Sequence, residues 1–123
     1  MAQEENGADG AAAMWAAAGL GGGIARTQSV CGAITGAVVA LGMAAGASGE
    51  ERQAALRRIR EQSEALVIGF AARFGRTDCR SLTGFDFSQR GGYQAFVDSG
   101  TKDARCTKYV AHTLRAILGP PAE

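Results

Sequence analysis

The sequence is poor in the residues that most enzymatic chemistry needs. It has one histidine, His112, and no Ser/His/Asp set, paired carboxylates or metal-binding box, so hydrolysis and phosphoryl transfer lack visible machinery. No Cys-x-x-Cys pair occurs, and the three cysteines stand 48 and 27 residues apart (79 − 31 and 106 − 79), which excludes a zinc site of local spacing. The N-terminus lacks a basic start followed by a long apolar run, so a secretory signal is not expected and the chain reads as cytoplasmic. Neither sign of charge is in excess. Thirteen Lys and Arg against twelve Asp and Glu give a net charge of +1, too even for a general nucleic-acid binder. The one basic cluster, Arg57, Arg58 and Arg60, runs straight into Glu61 and Glu64 and reads as a solvated helix face. Strand-like alternation is also scarce.

What is there is helix-forming and small. The 123 residues, 46% of them hydrophobic, make a single domain over 1–123 with a real core. An alanine-rich helix is expected over Asp9–Ala18, broken by the glycines of Gly19–Gly23. A second runs from Ser29, as N-cap, to about Ala45, and carries Gly32, Ala33, Gly36, Ala37, Ala40 and Gly42. Being apolar all round, it is expected at the centre of the bundle, its glycines letting neighbours approach closely. Ser29–Gly49 is free of charge over 21 residues, but its small residues carry little transfer energy, so a buried helix is expected and no membrane span.

The third helix is expected over Glu50–Phe74, with Leu56, Ile59, Ser63, Leu66, Val67, Phe70 and Phe74 on one face and Gly75 as its stop. A short helix follows over Cys79–Thr83, capped by Thr77 or Asp78. Gly84–Gly100 reads as loop with one turn around Tyr93–Val97. The last helix runs from Asp103 or Ala104 to Leu118, with Cys106, Val110, Leu114 and Ile117 on its apolar face, and is ended by Gly119 and two prolines. The fold class is all-α, a compact bundle of about five helices around a central small-residue helix.

Each cysteine falls, on this reading, in the first turn of a helix: Cys31 after Ser29, Cys79 after Thr77-Asp78, Cys106 after Asp103. Unpaired N–H groups and the positive end of the helix dipole favour a thiolate there. Cations are close in sequence as well, Arg26 before Cys31, Arg80 beside Cys79, Arg105 and Lys108 around Cys106. Alkylation of at least one of them below pH 7 is therefore expected. The plain alternative is that each is a small buried hydrophobe. Gly19-Leu20-Gly21-Gly22-Gly23-Ile24 does not match GxGxxG, since Ile24 stands at the third glycine and no strand precedes it. It reads instead as a tight turn bringing backbone N–H groups near Cys31. Gly21, Gly22, Gly23, Gly32 and Arg26 are thus candidates to bind a cofactor. His112 is expected in solvent beside Arg115, and Trp15, Tyr93 and Tyr109 as packing residues.

These residues resemble a known family. Ala17–Arg26, then Val30-Cys31-Gly32-Ala33-Ile34-Thr35-Gly36-Ala37 and Ala40-Leu41-Gly42, are similar to the core of the C-GCAxxG-C-C proteins. The resemblance continues through Phe74–Asp86, with Cys79 in it, and closes with Cys106-Thr107-Lys108-Tyr109-Val110. It implies a helical domain of bacterial or archaeal type, a cysteine-based redox role, and an iron–sulfur cluster as a candidate cofactor. It also implies an earlier cysteine on a helix upstream of Glu4–Asp9; Met1 begins just after that helix, so either the start is truncated or this member has lost its first cysteine. Without that helix, apolar surface would be left for a homodimer to cover.

The function expected is thiol/disulfide chemistry or electron transfer by Cys31, Cys79 and Cys106, with an unidentified redox protein as partner. Cys79 and Cys106 are the expected reversible pair, with Cys31 the third thiol. Two alternatives stand beside it: a cluster held by the same three cysteines, for electron transfer or sensing, and an interaction module in which they are only core residues.

Overall fold

A computed structural model describes the backbone of residues 2–119 and the side chains of residues 10–119. Six α-helices occur among them: α1 (Ala2–Ala17), α2 (Gly32–Ala47), α3 (Arg52–Phe74), α4 (Cys79–Thr83), α5 (Gly92–Ser99) and α6 (Thr107–Leu118). A 3-10 turn, Ala18–Leu20, prolongs α1, and a π-helical stretch, Lys102–Cys106, leads into α6. The bundle is all-α as expected. It gains a sixth helix because Gly91 and Gly100, at φ 76° and 77°, bound a full helix over Gly92–Ser99, held by buried Phe96, where a single turn was expected. The prolines expected to follow Gly119 lie outside the described residues.

Several helix ends follow from local chemistry. The Glu51 carboxylate accepts the N–H groups of Gln53 and Ala54, both at 2.9 Å, and so starts α3. Gly75, at φ 80°, ends it with its own N–H donated to the Ala71 carbonyl. Asp78 starts α4 by accepting the Ser81 N–H at 2.9 Å.

Helices α2, α3 and α6 pack on one another, and α1 rests on α2. Their core joins Cys31, Ile34 and Ala37 to Leu66, Phe70, Leu82 and Tyr109. Phe70 is fully buried, its ring tilted against Phe74 at 4.8 Å and against Tyr109 at 5.8 Å between centroids. Replacing it by alanine would cost roughly 3–5 kcal/mol, a large share of a domain's margin.

The central helix is less enclosed than its composition implies. In α2 one stripe is buried, Ile34, Ala37, Leu41 and Ala45, while Ala40, Met43 and Ala44 meet solvent. Gly36 and Gly42 face open space, and Gly32 alone of the three meets a close neighbour, the Leu20 carbonyl. In α3, Leu66 and Phe70 are inside as expected, but Leu56 and Val67 are exposed and Ala55 is buried instead. In α6, Tyr109 and Thr113 take the core, and Val110 and Leu114 remain nearly half exposed. The Tyr109 ring reaches Phe70 and Phe74 while its hydroxyl donates to the Leu82 carbonyl at 2.7 Å, so its own burial leaves its hydroxyl paired.

Two aromatic expectations are corrected. Half-buried His112 stands edge-on to Phe70 and Phe74, at 5.8 and 5.2 Å, and is not solvated beside Arg115. Trp15 is 83% exposed and packs on little. No helix among the described residues is long and apolar enough to cross a membrane.

Candidate functional site

Two of the cysteines are brought together by backbone. Residues on either side of an isolated antiparallel bridge, Val30 with Asp78, cross-pair: the Cys31 N–H donates to the Thr77 carbonyl at 2.8 Å, and the Cys79 N–H to the Ser29 carbonyl at 2.7 Å. On an antiparallel pair Cys79 lies opposite Ser29, two residues from Cys31, so both cysteines belong to the same face. One extended segment feeds α2 and the other feeds α4, so the two helices start side by side. Cys31 is the N-cap of α2, and Cys79 is the first residue of α4.

Cys106 differs. It ends the π-helical stretch, more than a turn inside a helix that begins at Thr101, so the helix-start position expected for it is not the one it holds. It is half-buried and packs against the core cluster to which Cys31 belongs.

All three cysteines line one cavity of about 480 Å³, a volume typical of small-ligand sites. Gly21, Gly22, Gly23, Arg26 and Gly32 line it too. Leu82, Thr83 and Tyr109 help close its buried side, Phe87, Tyr93 and Phe96 form an aromatic wall, and Lys102 stands at its exposed edge. The wall is a second aromatic cluster, with Phe87 at 5.2 Å from Tyr93 and 5.1 Å from Phe96. The Arg26 guanidinium lies 3.7 Å from the centroid of the Tyr93 ring.

The glycine loop works in another way than its sequence suggests. Five consecutive residues from Gly22 to Arg26 have positive φ, and so does Gln28. Left-handed backbone costs a non-glycine residue roughly 1–2 kcal/mol, and Ile24, Ala25, Arg26 and Gln28 all adopt it. The turn closes on itself: the N–H groups of Ile24, Ala25, Arg26, Gln28 and Ser29 donate to carbonyls of residues 19–23. Those amides are spent, and cannot stabilise a sulfur at Cys31. The loop instead packs on Cys79, for a Cβ at Gly23 would stand 2.7 Å from the Cys79 Cβ and from the Gln28 Cα.

Gln28 is the site residue that sequence reasoning missed. It is buried, its amide NH2 donates to the Phe85 carbonyl at 2.7 Å, and its amide oxygen accepts the Phe87 N–H at 2.8 Å. One side chain thus ties the left-handed turn to the segment that carries the aromatic wall. A lone glutamine in a loop offers no local signal for such a role.

The thiols are not activated in the way expected. Burial pushes Cys31, Cys79 and Cys106 above the ordinary cysteine range. The Ala33 and Ile34 N–H groups pull Cys31 the other way without closing a capping hydrogen bond, and desolvation outweighs them. At Cys79 the Gln28 amide opposes burial, while Cys31, Cys106 and Asp78 add to it. Lys102 favours the Cys106 thiolate, again less than burial disfavours it. Of the expected cations, Arg80 pairs with Asp86 at 3.1 Å and Arg105 approaches the Thr83 carbonyl. The helix-start donors are present at Cys31, but the loss of water outweighs them.

This arrangement brings three free cysteines, a hydrogen-bonded loop and an aromatic wall around one space. No curated protein and no solved structure matches the chain. A family model described as "Putative redox-active protein (C_GCAxxG_C_C)" matches residues 1–118, which contain all three cysteines and the glycine loop. The chain belongs to the C_GCAxxG_C_C family.

Proposed function

We propose that the protein carries out thiol–disulfide exchange, with Cys31 as the thiol common to two partnerships. The observation that carries this reading is the shared cavity, in which Cys31 adjoins Cys79 through the backbone bridge and Cys106 through the core. Cys106 is the entry thiol, because it is the least buried of the three and has Lys102 beside it. Its thiolate attacks a disulfide RSSR, forming Cys106–S–S–R and releasing RS−, which takes a proton. The Cys31 thiol then gives up its proton and attacks Cys106, releasing the second thiol as RSH and leaving a Cys31–Cys106 disulfide. Two protein thiols are oxidised and one disulfide is reduced to two thiols. Cys79, across the bridge, then attacks Cys31, forming Cys31–Cys79 and returning Cys106 as a thiol. This pairing replaces the Cys79–Cys106 couple that sequence proximity favoured.

An iron–sulfur cluster is supported less well. Among the described residues no three His, Cys, Asp or Glu side chains gather into a metal-ligand set. The cavity supplies three cysteine sulfurs and no fourth.

Intact-mass spectrometry after treating the reduced protein with 2-hydroxyethyl disulfide tests the reading. The wild type should lose two hydrogens and keep no adduct, whereas Cys31→Ser should retain an adduct on Cys106. A persistent adduct on the wild type, with no internal disulfide, would refute the exchange. Stoichiometric iron and sulfide in brown, anaerobically purified protein would establish the cluster in its place.

A further inference from the structure

We infer that the cavity selects small anionic disulfides, an assignment that rests on the exchange reading above and gives its substrate class. Its charged lining consists of Arg26 and Lys102, and among the described residues no Asp or Glu lines it. Of the acidic groups flanking the site in sequence, Asp78, which also acts on Cys79, caps α4 at the Ser81 N–H, Asp86 holds Arg80 and the Ser88 N–H, and Asp103 is exposed beside Lys102 without lining the cavity. An anion bound there therefore has two cations and no carboxylate in its lining, in a partly desolvated space where charge counts for more than in bulk water.

Size and wall narrow the class. A space of about 480 Å³ is far larger than a peroxide needs, and suits a molecule of two short arms joined by sulfur. The aromatic wall offers Phe87, Tyr93 and Phe96 to the methylene groups and the divalent sulfurs of such a molecule, a favourable kind of contact. Arg26 is held by Tyr93 beneath it, which leaves the edge of its planar fork to receive a carboxylate. Lys102 brings its charge close to Cys106, so an acidic arm bound there delivers the scissile S–S bond to the entry thiol.

Three disulfides with two methylenes in each arm test this: 3,3′-dithiodipropionate, 2-hydroxyethyl disulfide and cystamine, which are anionic, neutral and cationic. The rate of internal disulfide formation, followed by intact mass at low ionic strength, should be about five- to tenfold higher for the anionic than for the neutral compound, and lowest for cystamine. In Lys102→Gln the anionic-to-neutral ratio should fall toward one. That ratio cancels any change the variant makes to Cys106 itself. Equal rates for all three compounds, with the internal disulfide still forming, would overturn the anion preference and leave the exchange reading standing. Failure of all three to produce an internal disulfide would overturn both.

Discussion

Alanine at Gly23 and at Gly36 is the same chemical change and should act in opposite directions. At Gly23, φ is +69°, and the new Cβ would lie 2.7 Å from the Cys79 Cβ, the Gln28 Cα and the Ser29 N. Two of these are backbone atoms, so no side chain can swing aside. Left-handed backbone costs alanine about 1–2 kcal/mol. Forcing a methyl group into filled space costs about 1–3 kcal/mol more, so the sum is about 2–5 kcal/mol. Gly36 lies inside α2 with nothing within 4 Å of its would-be Cβ. Alanine there should stabilise by about 0.5–1 kcal/mol, because it limits the unfolded chain and favours helix. For a domain of this length each kcal/mol moves Tm by roughly 3–6 °C. Thermal melts of the reduced protein should therefore show Gly23→Ala about 6–30 °C below the wild type, and Gly36→Ala a few degrees above it. Cys79 should also be alkylated faster in Gly23→Ala, since the loop that covers it is displaced. A Gly23→Ala protein with unchanged Tm and unchanged Cys79 reactivity would refute the left-handed packing of this loop on the cysteine.

Two further outcomes follow from the site. The three thiols have folded-state pKa values raised by burial, so the folded state holds their protons more tightly than the unfolded chain does. Their contribution is complete below the unfolded value of about 8.5 and is lost as pH rises through the folded values. Tm should thus be steady near neutrality and fall in alkali, less steeply in Cys31→Ala, and alkylation of Cys31 should be slow at pH 7. Rapid alkylation of Cys31 at pH 6–7 would show that its helix-start donors outweigh burial after all. Separately, Gln28→Leu strands the Phe85 carbonyl and the Phe87 N–H, for a loss of about 2–4 kcal/mol in denaturant unfolding. The same change should push the Cys79 thiol pKa still higher, because the Gln28 amide is what lowers it.

Interactions within a few residues were legible in the sequence. Gly75 ends α3 in a left-handed conformation, and Asp78 caps a helix that runs, as expected, over Cys79–Thr83. These ends depend on one side chain or one φ angle, so residue type alone is informative. The all-α class followed in the same way, from helix-favouring segments separated by glycine. The family resemblance lay in the residues around the three cysteines and the glycine loop, and the match over residues 1–118 agrees with it.

What concerns distance and solvent was decided only by the tertiary structure. No periodicity could show that Cys31, Cys79 and Cys106 line one cavity, because a bridge between Val30 and Asp78 and the packing of α2 on α6 bring them there. The thiols' protonation turned on burial, a property of the assembled core, which overrode the local donors at the start of α2. The face of α6 was shifted for a similar reason: both Cys106–Val110–Leu114–Ile117 and Tyr109–Thr113 fit a helical stripe, and the aromatic partners on α3 draw the second inward. Four non-glycine residues in left-handed backbone were invisible in advance, since each is disfavoured on its own. Only the hydrogen bonds of the closed turn, buried Gln28 and the stacking of Arg26 on Tyr93 make that conformation hold. Helix ends are set by neighbours in the chain, and the chemistry of this cavity by neighbours in space.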